Sequence, residues 1–157
     1  MAEAFSKIFV ARWTDMDFNA HMRNTAYLDL AGDLRMMFFQ ENGFGPAEFS
    51  KRHLGPVVQR DELEYFREVR LLETVVATLA LAGLSQDGSR FRIRNEFFRE
   101  DGERVARLTS TGGWMDLAER RLVAPPDALA AAIARLPRTG DFQAITAPSS
   151  SSRGASS

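Results

Sequence analysis

Arg12-Trp13-Thr14-Asp15-Met16-Asp17-Phe18-Asn19-Ala20-His21-Met22-Arg23-Asn24-Thr25-Ala26-Tyr27 sets two carboxylates, one of the chain's two histidines and an asparagine directly ahead of an apolar segment. In that segment Tyr27, Leu30, Ala31, Leu34, Met37 and Phe38 recur at three- and four-residue spacing, which predicts a helix over 24–40. Met36 and Phe39 widen the apolar face until the helix is hydrophobic nearly all round, the pattern of a helix enclosed by other structure. Gly32 in its middle costs about 1 kcal/mol against alanine, and close approach to a sheet is the expected reason for it. Asn42-Gly43 ends the helix, since both residues accept the left-handed conformation needed there. Asp17 and His21 fall in the loop that feeds the helix start. Unpaired backbone N–H groups and the positive end of the helix dipole favour a developing negative charge at such a place. A carboxylate and an imidazole meeting there are groups suited to acyl transfer.

Strands flank the helix on both sides in sequence. Residues 5–13 carry Phe5, Ile8, Phe9, Val10 and Trp13 in a short β-rich run. After Leu54, Leu63, Tyr65, Val69 and Leu71 alternate with Glu62, Glu64, Glu68 and Arg70 at a period of two, and are expected to form one strand. Residues 75–84 are more continuously apolar, as in a strand covered on both faces. Gln86-Asp87-Gly88-Ser89 and Glu100-Asp101-Gly102-Glu103 are turn signals, and between them Phe91, Ile93 and Phe97 alternate with Arg90, Arg92, Arg94 and Glu96. A last long strand is expected over 105–115. Pro125-Pro126 then breaks the chain, and Leu129, Ile133 and Leu136 mark a short amphipathic helix. Strand, long helix, then about four antiparallel strands is an α+β order that a single curled sheet around one helix satisfies. We read 1–137 as one domain and 138–157 as a low-complexity, serine-rich disordered tail, with the serines concentrated from Pro148 onward.

Composition narrows the functional classes. The chain has 157 residues, enough for one domain with a sizeable core and short for two. A net charge of −1 gives no global drive toward nucleic acid or an anionic membrane surface. No apolar run approaches the ~20 residues of a membrane span, and the start lacks the basic-then-apolar layout of a signal peptide, so a cytoplasmic protein is expected. The absence of cysteine excludes disulfides, thiolate metal ligands and a cysteine nucleophile.

The motif Asp15-x-Asp17-x-x-x-His21-x-x-Asn24-x-x-Tyr27, set between a first strand and an apolar helix, resembles the hot-dog-fold acyl-CoA thioesterases of the 4-hydroxybenzoyl-CoA thioesterase superfamily. Leu63-Glu64-Tyr65-Phe66-Arg67-Glu68-Val69-Arg70 is similar to that family's second strand. Gly113-Trp114-Met115-Asp116, followed by Arg120-Arg121 and Pro125-Pro126, is similar to its closing strand and exit. The resemblance spans about residues 5–136. It implies a hot-dog fold in which five strands wrap the helix, and a homodimer or homotetramer formed by joining sheets edge to edge. It also implies an acyl-CoA or acyl-carrier-protein thioester bound between subunits, with no cofactor beyond the coenzyme A of the substrate. The family's catalytic aspartate maps onto Asp17. Glu68 stands where relatives usually carry proline, and Thr25 where many have a second asparagine.

Thioester hydrolysis needs attack on the carbonyl, a held oxyanion and thiolate departure. Asp17 serves as nucleophile or as general base to a water. Backbone N–H groups at Arg23 to Thr25 polarise the carbonyl. His21 orients Asp17, the carbonyl or the water, and Asn24 combines a place at or near the helix cap with substrate contact. Asp15 is a second candidate for the site, or a structural partner of Arg12; Tyr27 is a candidate substrate-binding residue at the same edge, or packs on the helix face. Asp33 is a fallback carboxylate on the helix, and His53 has no partner motif. Asp15, Asp17 and His21 lack a second histidine to complete a metal site. The arginines of the 90–99 strand form a solvated face, one or two of which would meet coenzyme A phosphates in the family's arrangement. An enoyl-CoA hydratase of the same fold and a non-catalytic acyl-thioester-binding module are the alternatives. Asp17-Phe18-Asn19-Ala20-His21 is one residue short of the hydratase loop and lacks its proline.

Overall fold

Strands β1 (Phe5–Val10), β2 (Leu54–Tyr65), β3 (Thr74–Ser85), β4 (Arg90–Arg99) and β5 (Arg104–Asp116) make one antiparallel sheet in the order β1-β3-β4-β5-β2. The computed structural model describes residues 5–146. Helix α1 (Asn24–Glu41) lies in the trough of this curled sheet, giving the hot-dog architecture. The period-two reading of β4 holds: Phe91, Ile93 and Phe97 are buried against the helix, and Arg90, Arg92 and Arg94 line the convex side. Asp87 accepts from the Ser89 N–H, the Ser89 hydroxyl and the Ser85 hydroxyl, which fixes the β3–β4 turn.

Tyr27, Ala31, Leu34 and Phe38 form the stripe of α1 that faces the sheet. Around its C-terminal half Trp114 stands 5.6 Å from Phe39, 5.8 Å from Phe49 and 4.9 Å from Phe91, ring centre to ring centre. Such aromatic contacts add about 0.5–1.5 kcal/mol each beyond their burial. Helix α2 (Pro46–Lys51) brings Phe49 to this cluster, and α3 (Asp127–Ala134) closes the same end with Leu129 and Ile133.

Several expectations are corrected. The opposite face of α1 is open: Thr25, Asp29, Gly32, Asp33 and Gln40 are exposed, so the helix is covered on one side rather than all round. A Cβ at Gly32 would meet nothing within 4 Å, so this glycine does not serve close approach to the sheet. β2 ends at Tyr65; Glu68, Val69, Arg70 and Leu71 belong to the connection to β3, where Val69 is buried by side-chain packing rather than by strand alternation. On β3 the apolar run is covered on one face over residues 75–80, Val75, Ala77 and Leu79 being buried and Val76, Thr78 and Ala80 half-buried, whereas the consecutive Leu81 and Ala82 are both buried. Part of the segment assigned to a tail is a strand, β7 (Arg138–Ile145), which pairs parallel with the second half of β3. Phe142 packs on the core and Arg94 grips Asp141 through two bonds of 2.7 and 3.0 Å, which together hold β7. A two-residue strand β6 (Arg121–Leu122) pairs with β5. Residues 1–4 and the serine-rich stretch from Pro148 lie outside the described residues.

Candidate active site

The quoted loop folds in two steps. First, the chain leaving β1 makes a short 3-10 turn at Trp13–Asp15, closed by Asp15. The Asp15 carboxylate is buried and accepts from the Arg12 N–H at 2.9 Å and from Arg12 Nε and Nη2 at 3.1 Å each. Burial pushes this carboxyl up, but the bonds and charge of Arg12 outweigh it and hold it below its ordinary range. Second, Asp17 to His21 closes into a tight ring. The Asp17 N–H donates to the His21 carbonyl at 2.7 Å, and the N–H groups of Asn19 and His21 donate to Asp17 Oδ1 at 2.8 and 3.0 Å. Ala20 takes a left-handed φ of 60° to complete the ring. One oxygen of Asp17 therefore serves the loop, while Oδ2 accepts nothing among the described residues.

Arg23 occupies the cap position of α1 in an extended conformation and makes no side-chain cap bond. Its own N–H is taken by the Asp15 carbonyl at 2.8 Å, and the Met22 N–H by the Val69 carbonyl at 2.7 Å. The N–H groups of Asn24 and Thr25 open α1 and have no acceptor among the described residues. A helix start left uncapped beside a carboxylate is an oxyanion-binding arrangement.

Asp17, His21, Arg23, Asn24 and Tyr27 line one open cleft of about 410 Å³, a size typical of small-molecule sites. Asp15 does not reach it, lying beneath the loop on Arg12, and Thr25 is exposed outside its lining. The other wall consists of Tyr65, Arg67 and Glu68, with Met22 at the base. Tyr65, Arg67 and Glu68 were not read as site residues in the sequence, because they reach the cleft only through the exit of β2. Tyr27 contacts Tyr65 edge-on at 5.8 Å and Phe97 at 5.1 Å. Burial, with some help from Tyr65, pushes the Tyr27 hydroxyl up to about 12, so it stays protonated at neutral pH. Arg67 is tied to Glu103 at 2.9 Å, and Glu68 lies 3.5 Å from Arg70. Asp33 and His53 do not line the cleft. Among the described residues no three His, Asp or Glu side chains converge as metal ligands, and no helix is long and apolar enough to cross a membrane.

The fold recurs in solved structures. A Staphylococcus aureus protein solved in complex with CoA superposes with a TM-score of 0.79 at 20% identity, covering 95% of this chain and 92% of that one. A 1,4-dihydroxy-2-naphthoyl-CoA thioesterase from Synechocystis gives 0.75 at 14% identity, over 83% and 96% of the two chains. A gentisyl-coenzyme A thioesterase gives 0.71 at 15%, over 82% and 98%. No curated protein sequence matches the chain. A family model described as the thioesterase-like superfamily matches residues 11–133, from the residue before the loop motif to the last buried residue of α3. With motif, fold and matched span in agreement, the chain belongs to the thioesterase-like superfamily.

Proposed function

We propose that the protein is a thioester hydrolase that cleaves an acyl-CoA, or an acyl-carrier-protein thioester, to a free acid and a thiol. The observation that carries this reading is the uncapped start of α1 beside Asp17: Asn24, whose backbone N–H has no acceptor among the described residues, and Asp17, with one carboxylate oxygen that accepts nothing, line one cleft, and the free N–H of Thr25 follows at the next position of the helix. The thioester carbonyl oxygen would sit against the N–H groups of Asn24 and Thr25, which take up the negative charge as the carbonyl carbon is attacked. Asp17 Oδ2 either attacks that carbon, giving an anhydride that water then opens, or removes a proton from the attacking water. The thiolate leaves without a strong acid. His21 and Asn24 position water and carbonyl from the cleft wall, and Tyr27 is held too far above neutral pH to ionise. Asp15 acts as a positioning residue through Arg12 and the Arg23 N–H. The assembly implied is a homodimer or homotetramer joined at the free edge of β2.

The test is thiol release from short, medium, long and aromatic acyl-CoAs, comparing wild type with Asp17→Asn. Turnover that falls at least ~10²-fold in the variant supports the reading. Undiminished turnover in the variant refutes the role of Asp17, and absence of turnover on every thioester refutes the hydrolase.

A further inference from the structure

Arg35, two turns of α1 beyond Tyr27 and about 12 Å further along the helix axis, is a half-buried cation without an adjacent anion among the described residues. Its Nε and Nη2 donate to Asn95 Oδ1 at 3.1 and 2.8 Å, and Nη2 donates to Ser110 Oγ at 2.8 Å. Asn95 and Ser110 are both wholly buried and neutral. The carboxylate of Asp61 is one residue removed, accepting from the Ser110 hydroxyl at the exposed edge of β2. Nη1 donates to nothing among the described residues. Burial lowers this guanidinium to about 10 against a weaker opposing effect of Asp61, so it remains charged at neutral pH. A buried charge held only by neutral groups costs stability.

The same guanidinium lines a second cavity, of about 150 Å³, between α1 and strands β2, β4 and β5. Met36, Phe39, Phe91, Ile93 and Trp114 supply apolar walls, and the exposed Gly32 and Val58 form the rim. Trp114 is wholly buried, and its Nε1–H has no acceptor among the described residues. A cavity of this size holds a group about as large as benzene. Both the candidate active site and this cavity are lined by α1 together with β2. Tyr65 meets Tyr27 at one end, Asp61 reaches Arg35 through Ser110 midway, and Pro56 and Val58 face Met36 and Phe39 at the other.

We propose that this cavity receives the far end of the acyl group and selects acyl groups that terminate in a carboxylate, with Arg35 as the ion-pair partner and Trp114 Nε1 as a second donor. The substrates are then monothioesters of medium-length dicarboxylic acids. Arg35 suits that end group because its unused N–H groups match a carboxylate in charge and plane. The chain between thioester and carboxylate would span the ~12 Å along α1 that separate Tyr27 from Arg35. This inference rests on the thioesterase reading for the word substrate, but the binding site is testable without turnover.

The experiment is calorimetric titration of wild type, Arg35→Met and Arg35→Lys with suberate and with octanoate, folding being checked by circular dichroism. Suberate binding at least ~10-fold tighter than octanoate in wild type, levelled in Arg35→Met and partly kept in Arg35→Lys, supports the proposal. Equal binding of the two acids, absence of suberate binding, or a preference that survives Arg35→Met overturns it. Val58→Trp, at a rim position on the β2 edge, fills the mouth without touching the buried network and is expected to abolish suberate binding, its assembly state being compared with wild type by sedimentation; unchanged binding counts against the cavity. Thiol release from suberyl-CoA and octanoyl-CoA separates the two claims. Turnover without carboxylate preference refutes the cavity and keeps the hydrolase, while suberate binding without turnover of any acyl-CoA or acyl-carrier-protein thioester refutes the hydrolase and keeps the cavity.

Discussion

Asp17 carries a loop role on one oxygen and an available oxygen on the other. An asparagine keeps an Oδ1 acceptor for the Asn19 and His21 N–H groups while removing the carboxylate. Asp17→Asn is therefore expected to unfold within about 0.5 kcal/mol of wild type in urea while losing its activity, because the ring that shapes the site survives. Asp17→Ala also removes the acceptor and is expected to lose stability as well, so the two variants separate folding from chemistry. Asp15 shows the reverse pattern. Its three bonds from Arg12 are structural, and Asp15→Ala is expected to cost about 1–3 kcal/mol, read from urea unfolding at neutral pH. Its carboxyl sits below the ordinary 3.8 in the fold. The stabilisation is thus fully present above that value and is lost as pH falls through the lower, native one. Unfolding measured at descending pH is expected to show a shallower acid loss in Asp15→Asn than in wild type.

At the scale of elements, the Gly112-Gly113 pair in β5 shows how closely β2 is applied to the sheet. A Cβ on Gly112 would lie 1.9 Å from the Val57 carbonyl oxygen, a backbone atom of β2 beside the bulge that interrupts its pairing between Val58 and Arg60. Gly112→Ala must push β2 away and is expected to destabilise by about 1–3 kcal/mol, with faster amide exchange along β2 than along β3. The elements legible in the sequence were those with a local signal. The apolar stripe of α1 and the Asp-Gly turns around β4 sit within a few residues of what they determine. α2 escaped because six residues are too few to show a period, its one signal being Pro46 at the helix start. β7 escaped because Arg138-Thr139-Gly140-Asp141 reads as a loop; it becomes a strand by pairing with a β3 more than fifty residues earlier and by the Arg94–Asp141 bond. The same distinction divides the site. Asp17, His21, Arg23, Asn24 and Tyr27 lie in one continuous stretch and were visible together. Tyr65, Arg67 and Glu68 come from some forty residues later, placed by the register of β2 on β5. The strand pattern that extended to Leu71 hid the turn that aims them into the cleft.

For the whole molecule, two open features adjoin each other: the edge of β2, which ends the strand order, and the uncovered face of α1. The other end of the order, β1, also exposes Ile8 and Val10, but it is six residues long and β7 continues its side of the sheet. Along its outer edge β2, twelve residues long, pairs with no other strand among the described residues, and proteins rarely leave such an edge uncovered. Joining two such edges about a twofold axis lays the two copies of α1 side by side and antiparallel, with the exposed faces meeting. Gly32, unexplained within one chain, is then the residue that lets the helices approach. A tryptophan at Gly32 has room in the single chain, where a Cβ meets nothing within 4 Å, but none at a helix–helix seam. Wild type is expected to sediment at twice the 17.6 kDa chain mass or a multiple of that dimer. Gly32→Trp is expected to sediment as a monomer with an unchanged circular dichroism spectrum. A Gly32→Trp protein that remains dimeric would place the seam elsewhere and leave this glycine as a helix defect. In that case Gly32→Ala should simply stabilise the fold by about 1 kcal/mol.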